Sequence, residues 1–484
     1  MSQHQFAGWR SMAASGLSAL VLAACVSPAG IAPQLKPLPA PAAAPAAQNS
    51  FPSERWWAVF GDKQLDELVD AALRDNPSLA AAAMRLQRAR ILIDAADAAY
   101  GPSVTLGANP TQQRFAEHHL IPAPVAGSVR SNNRLGLDFS GEIDFWGKQR
   151  AALDGAIAQE KLAAADLQVA RLSIASSLVR SWVELDRLTR QRNLLAQQLA
   201  VREQTLALQR LREKAGFEPG VERMQSEAAM ASMRGELRTL EARSLLQRHL
   251  VAVLAGRDPA SGEKLAAPSL QIDKAGLPAS LSAEVLARRP DVAVSRWRVE
   301  AATQDAAVTK AGFYPNVNLV GFVGFQSLGF DKWLDFGSRT YSVGPAISLP
   351  IFDAGRLRAS YGMKTTDIDA AVAQYNQTLL DAMREIVDTL SQLDSADRQQ
   401  VELQTAYDKA REVESLLAQR EKKGLINHLP VLSASAQRLV AERNLADLAA
   451  FRFDSRIQLI RAIGGDGAAA LPALLTAANK KDPS

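Results

Sequence analysis

The chain has 484 residues, 47% of them hydrophobic, and 55 basic against 51 acidic side chains give a formal net charge of +4. Charges scattered this evenly make a solvated surface and exclude the dense basic stripe that binds nucleic acid. A single cysteine excludes a disulfide framework, so packing has to supply the stability.

The chain opens with one positive charge, Arg10, and an uncharged apolar stretch from Ser11 to small residues at Ala23 and Ala24. This is the pattern of a signal peptide over residues 1–24, too short to serve as a membrane span. The sole cysteine follows at once, and Leu22-Ala23-Ala24-Cys25 resembles the lipobox of bacterial lipoproteins. That resemblance makes Cys25 the expected lipid attachment site, with diacylglycerol on the thiol and an acyl group on the freed amine. One lipid signal anchors weakly, so it would supplement another membrane contact. Residues 25–55 carry Pro28, Pro33, Pro37, Pro39, Pro41, Pro45 and Pro52 among alanines, which reads as an extended tether. No uninterrupted apolar run of about 18 residues follows, so a mature chain that crosses a membrane does so with strands.

The remainder is one unit written twice. Asn76-Pro77 through Gly101-Pro102 matches Arg289-Pro290 through Tyr314-Pro315, both prolines being displaced by 213 residues (77 to 290, 102 to 315). Gly147 to Arg150 matches Gly355 to Arg358, Arg212-Glu213-Lys214-Ala215-Gly216 matches Arg420-Glu421-Lys422-Lys423-Gly424, and Gly256 matches Gly464, now at an offset of 208 (216 to 424). The second copy has therefore lost five residues between Pro315 and Gly355, in the interval of a strand hairpin, where a surface loop absorbs a deletion. The repeats are expected over 56–256 and 285–466, with a linker at 257–284 and a tail at 467–484.

Each copy begins with a helix whose first turn holds a proline, expected at about 78–99 and, in the second copy, from Pro290 to about 312. Strands follow. Leu135, Leu137, Phe139, Ile143 and Phe145 alternate with Asp138, Ser140, Glu142 and Asp144, a period of two that predicts a strand at about 135–146. Its counterpart falls at about 341–351, and the preceding strands at about 103–116 and 316–326. An apolar and a polar face fit either a sheet on a core or a wall between lipid and water. Four strands cannot close a membrane barrel, so the second reading demands several chains; three would give twelve strands. After Gly147 the period becomes helical. Lys148 to Ala215 contains no proline and only Gly155, which predicts roughly 100 Å of helix. Val169, Leu172, Val179, Trp182, Leu185 and Leu188 recur at bundle spacing. A shorter helix returns at about 221–254; its missing half is expected from the opening helix of the same copy, stacked end to end with it. The second copy predicts 356–423 and 429–463 in the same way.

These features resemble the outer-membrane-factor family of TolC-like channels, in its lipoprotein branch of the OprM, CusC and NodT type. The resemblance is carried by Trp56-Trp57-Ala58-Val59-Phe60-Gly61-Asp62 with Leu65 and Leu68, Asn76-Pro77, Pro102, the duplicated hairpins and the glycine tips. It implies a mainly α fold with membrane β: a homotrimer whose twelve-stranded β-barrel in the outer membrane continues into an α-helical barrel in the periplasm. The implied function is a passive exit duct for small toxic compounds, served by a periplasmic adaptor and an inner-membrane pump of the resistance-nodulation-division type. Arg212, Gly216, Arg420 and Gly424 would mark the periplasmic tips and the adaptor contact. Relatives narrow the tunnel there with acidic residues. This chain offers Glu218 and Glu222 in the first copy and His428, Pro430 and Ser433 in the second, so Glu218, Glu222, His428 and Ser433 are the candidate constriction.

An enzyme is the first rival. The chain shows no Gly-x-Ser-x-Gly, phosphate loop, His-Glu-x-x-His or paired cysteines, and its five histidines and eight methionines form no metal or copper motif, so neither a cofactor nor a bound metal is expected. His118 and His119 read as solvated loop residues. A lipidated periplasmic coiled-coil scaffold and an exit for type I protein secretion are the remaining alternatives.

Overall fold

The computed structural model describes residues 27–39, 55–118, 122–217, 219–270, 286 and 288–465. Cys25 and the leader before it, Glu218, His119, most of the Pro/Ala-rich segment, residues 271–285 of the inter-repeat region and the tail lie outside them. The described elements run in the order α1 (Lys63–Asp75), α2 (Pro77–Ala98), β1 (Ser103–Arg114), β2 (Val129–Glu142), α3 (Lys148–Lys214), α4 (Val221–Leu254), α5 (Pro290–Ala311), β3 (Asn316–Leu328), β4 (Arg339–Ser348), α6 (Arg356–Lys422) and α7 (Leu429–Ala462). The duplication is visible in the lengths: α2 and α5 have 22 residues each, α3 and α6 have 67, and α4 and α7 have 34.

The chain divides into two compact units, one from the described parts of Met1–Pro37, Gln87–Leu162 and Ser295–Tyr375, the other from the described parts of Leu38–Leu86, Ala163–Val294 and Asn376–Ser484. In the first unit the four strands form one antiparallel sheet in the order β1-β2-β3-β4, because β2 also pairs with β3 and joins the two hairpins. Strand bounds differ from those expected from alternation. β2 begins at Val129 because the polar run before Leu135 is held by its ladder to β1, Ser131 opposite Gln112 and Arg134 opposite Asn109; pairing overrides local pattern. It stops at Glu142 because Phe145 turns back to the Ile143 carbonyl ahead of the left-handed Gly147. β4 starts earlier, at Arg339 opposite Phe325, and ends at Ser348 opposite Asn316. Pro110 and Pro345 both lie on edge strands, where a missing donor is tolerated.

Within the segment expected as an extended tether, the described residues 27–39 lie along α6. Asp369 Oδ1 on α6 accepts from the backbone N–H of Gln34 and of Leu35, each at 2.8 Å, and Arg358 donates to the carbonyls of Ser27 and Ala29. Ile31 packs into a small core of Ala306, Phe313, Tyr361, Ile368 and Val372. Proline-rich chain is already extended in solution, so ordering it along a helix costs little entropy.

The second unit is built around Trp56, Trp57 and Phe60, in a 3-10 turn that Gly61 closes with φ 68, packed with Leu65, Leu68, Leu178, Trp182, Leu185, Phe453 and Ile457. Asp62, 4% exposed, ties this core together. Its Oδ1 accepts from Gln64 N and Leu65 N as the N-cap of α1, and its Oδ2 accepts from Trp182 Nε1 and Ser269 N, both at 2.9 Å. Among the described helices, α3 alone has a window long and apolar enough to cross a membrane by length and composition; its Ala175, Leu178, Val179, Trp182, Val183 and Leu185 are buried in this core. Leu188 and Leu195 of α3 meet Leu240 of α4, and Leu393 of α6 meets Leu459 and Ile463, so each long helix packs on its returning partner.

Four helix ends finish in the same way. Gly216, Gly256, Gly424 and Gly464 all have positive φ, and the amides of Phe217, Arg257, Leu425 and Gly465 reach back to the carbonyls of Arg212, Ala252, Arg420 and Ile460. The glycine amides add a second bond at each end, to the carbonyls of Glu213, Val253, Glu421 and Arg461, and the pair satisfies carbonyls the helix leaves open. At the ends of α4 and α7 the next helix begins at once: Asn76 Nδ2 donates to Leu254 O at 2.9 Å, and Arg289 Nη1 to Ala462 O at 2.7 Å. The starts of α2 and α5 thus abut the ends of α4 and α7, the end-to-end stacking expected from the lengths.

Two stability predictions follow from these contacts. Asp62→Ala leaves the Trp182 and Ser269 donors buried without an acceptor, and thermal unfolding should show a loss of about 2–4 kcal/mol; Asp62→Asn should recover less than half, because its amide turns a donor toward them. Gly216→Ala and Gly424→Ala meet no atom within 4 Å and should cost only the left-handed strain, about 1 kcal/mol. Gly256→Ala places its methyl 3.0 Å from Asp75 O, and Gly464→Ala 3.2 Å from Arg288 O, so both should lower the melting temperature more than the tip substitutions do.

Candidate functional site: the two sheet faces and the two helix tips

Register sorts the strand side chains into two faces. On one, Val104, Phe139, Gly321 and Val343 form a row across all four strands, Leu106, Leu137, Val323 and Tyr341 form the next, and Val317 faces Ile347. Most of these side chains are bare in the chain, with Leu106 69%, Val343 75% and Tyr341 82% exposed, while Phe139 and Val317 are half-buried. A face this apolar and uncovered suits hydrocarbon. On the other face the rows read Thr105, Asp138, Phe322, Ser342 and Asn109, Arg134, Gln326. Val320 and Leu328 are apolar on this face too, and the largest exception is Phe322. Its ring covers Gly136, where a Cβ would come within 2.4 Å of it, and the Arg134 guanidinium lies 3.9 Å above the ring centre while pairing with Asp138. The ring is thereby shielded from water, and its signal in the sequence was the break in alternation at position 322.

Among the described residues, both outer strands, β1 and β4, have only one neighbour. Backbone groups along those edges have no partner in hydrocarbon, so a membrane sheet of this kind has to be closed by other strands.

The tips belong to the second unit. Arg212 and Arg420 contribute the carbonyls that cap α3 and α6, and Gly216 and Gly424 provide the turns. Past the first tip, Glu222 lies in the first turn of α4, where the helix N-terminus favours a negative charge. The first hairpin is cross-linked by residues the sequence reading passed over: Arg223 bonds Glu213 at 2.8 Å and Glu227 at 2.9 Å, and Arg210 bonds Glu227 at 2.8 Å. The Arg210 hydrogen bond, joined by that of Arg223, holds the Glu227 carboxyl below its ordinary value. In the second hairpin, His428 Nδ1 lies 2.7 Å from Glu421 Oε1, and Arg438 bonds Glu414 and Glu442 at 2.6 Å. Glu213 and Glu421 occupy the same repeat position, which was the signal available. Ser433 is exposed on α7 and His428 is half-buried, its ring tied to Glu421. Among the described residues no group of His, Cys, Asp and Glu could hold a metal ion, and His118 stands exposed in a turn.

The sheet faces are tested by paired lysines. Val343→Lys and Leu106→Lys should each impair membrane assembly, by about 2–4 kcal/mol near the bilayer midplane, whereas Ser342→Lys and Thr105→Lys on the opposite face should assemble nearly normally. Heat-resistant oligomer recovered from outer-membrane fractions measures the difference.

Comparison with known proteins agrees with this geometry. Residues 68–256 and 281–465 match the outer membrane efflux protein family, one segment for each repeat. The fusaric acid resistance protein FusA of Burkholderia cepacia is 33% identical over 71% of this chain and 67% of its own length, and the outer membrane protein OprJ of Pseudomonas aeruginosa is 29% identical over 93% and 96%. Among solved structures, the outer membrane protein VceC of Vibrio cholerae superposes with a TM-score of 0.78 at 32% identity, covering 86% of this chain and 99% of that one. The outer-membrane channel OprN gives 0.78 at 28% identity, covering 92% and 98%. With a matching segment on each repeat and a membrane face on its sheet, the chain belongs to the outer membrane efflux protein family and is an exit channel of the outer membrane.

Proposed function

We propose that this channel works as a lipid-anchored homotrimer, a passive duct through which an inner-membrane pump and its periplasmic adaptor discharge small toxic compounds. The observation that carries the reading is the four-stranded sheet with one apolar face and two open edges. Three copies supply twelve strands, an even number that closes the ring under threefold symmetry. The helices support the same closure. Leu380, Met383, Val387 and Leu390 of α6 stand exposed at steps of three and four, the spacing by which one helix packs against another. At 67 residues, α3 and α6 each extend roughly 100 Å, a reach suited to the periplasm.

The tips suit an adaptor. Leu211, Phe217, Val221 and Met224 around the first tip and Leu425 at the second are exposed, Phe217 at 77%, and apolar side chains at the ends of a rod favour a protein partner. A pump of the resistance-nodulation-division type is the partner class that the family resemblance suggests. The cargo class rests on the resistance names carried by relatives, fusaric acid for FusA and multidrug for MdtQ of Escherichia coli.

Cleavage after residue 24 and lipidation of Cys25 complete the reading. The docked segment supports it: Ser27, two residues beyond the cysteine, is held by Arg358 in the first turn of α6, just after the sheet. A lipid there would sit beside the strand ends. Cys25→Ala should remove the acyl mass yet leave the protein in the outer membrane after alkaline extraction, because the strands hold it. A soluble, monomeric Cys25→Ala protein would instead favour a lipidated scaffold. Purified protein in planar bilayers should conduct only as the oligomer, and silence even after Arg223→Ala and Glu421→Ala loosen both tips would overturn the duct.

A further inference from the structure

On the polar face of the sheet, Arg134 of β2 stands directly opposite Gln326 of β3, and its guanidinium lies over the Phe322 ring. From this group we infer a stacking subsite in the wall of the duct for planar aromatic compounds that carry a carboxylate. The inference names a class of cargo and rests on the reading of the polar face as the inner wall of a closed barrel. Arg134, Gln326 and Phe322 all belong to the two inner strands, so pairing of the β1 and β4 edges with other copies leaves them uncovered.

The platform is preformed. Gly136 faces Gly324 across the ladder, and the Phe322 ring settles against the backbone at Gly136, where a Cβ would overlap it. The Arg134 guanidinium lies 3.9 Å above the ring centre and donates from Nη2 to Asp138 Oδ1 on its own strand. One face of the guanidinium is thereby covered and one edge tied, so its plane is fixed before anything binds and little ordering cost remains. The side chain is still 33% exposed, with the face turned away from Phe322 open to the lumen. A planar, delocalised cation held in this way accepts an aromatic ring on its free face.

Charge selects an acid. Arg130, Arg134, Asp138 and Glu142 are the ionisable side chains that β2 places on this face. Asp138 is engaged by Arg134, and Glu142 by Lys148 at 3.1 Å. Arg130 is exposed and its Nε donates to Ser128 Oγ at 3.3 Å, so one positive charge per copy is left without a carboxylate among the described residues. Gln326 is exposed beside Arg134. A ring stacked on the guanidinium can turn its carboxylate to accept from the Gln326 amide, within the field of both arginines. An ammonium in the same place would meet those two cations and find Asp138 already paired.

The test measures binding to the full-length oligomer in detergent by ligand-observed NMR against a detergent blank, with benzoate, cyclohexanecarboxylate and benzylammonium as probes. Benzoate should bind about two- to fivefold more tightly than cyclohexanecarboxylate, which has the charge without the flat ring, and than benzylammonium, which has the ring with the opposite charge. Arg134→Lys keeps the charge and loses the plane, so the preference between the two carboxylates should disappear. Gln326→Leu should weaken both carboxylates by a similar factor and keep that preference. Equal binding of the two carboxylates to the unaltered protein, tighter binding of benzylammonium, or a preference that survives Arg134→Lys would overturn the subsite. Current through the unaltered protein in planar bilayers reports the duct independently, so a missing preference with the current intact removes the subsite alone.

Discussion

The open edges of β1 and β4 set the terms for the rest of the structure. In water such edges would be a hazard for aggregation, but against hydrocarbon they are untenable, since no solvent molecule can satisfy the bare N–H and C=O groups. The apolar rows through Leu106 and Tyr341 place these edges in that environment. Closure by further copies is therefore a structural necessity for the fold, and the long helices that follow each hairpin inherit its symmetry. The stripe of Leu380, Met383, Val387 and Leu390 on α6 is likewise bare in the single chain.

Duplication solves the problem of building the helical part. A rod of 67 residues cannot be matched by a returning helix of 34, and the chain makes up the difference by butting α2 onto α4 and α5 onto α7. Each joint needs a carbonyl-rich helix end, a left-handed glycine and a side chain that reaches across. The two copies use different reaching groups. Asn76 is neutral, whereas Arg289 brings a buried charge that draws in Asp291 and Glu385, both at 2.8 Å. Burial works against that charge, and the two carboxylates outweigh it, so the Arg289 guanidinium stays above its ordinary value. The tips diverge similarly: the shared glutamate meets Arg223 in one copy and His428 in the other. Equivalent backbones thus carry unequal electrostatics.

Asp62 shows what the short segment from Trp56 to Asp62 contributes to the fold. Its four accepted hydrogen bonds join the 3-10 turn, α1, the middle of α3 and the segment at Ser269, which are far apart in sequence. A carboxylate so buried is stable only when its oxygens are filled, and here they are. The Trp56-Trp57 pair packs around it, so the polar tie is sealed in an apolar shell.

The sequence by itself determined the elements that depend on local chemistry. Proline at Pro77 and Pro290, glycine at the four helix ends, period-two alternation from Leu135 and uninterrupted helical spacing from Lys148 are all written in neighbouring residues, and the offset of 208 revealed the duplication without any contact being known. Only the tertiary structure decided what depends on residues distant in the chain. The polar run from Val129 became strand because β1 lay beside it, and the proline-rich segment became a docked strap because Asp369 and Arg358 were there to receive it. Phe322 found cover on a polar face under Arg134, which belongs to the neighbouring strand. Local propensity is a matter of a few tenths of a kcal/mol per residue, and pairing or burial outweighs it wherever distant segments come together.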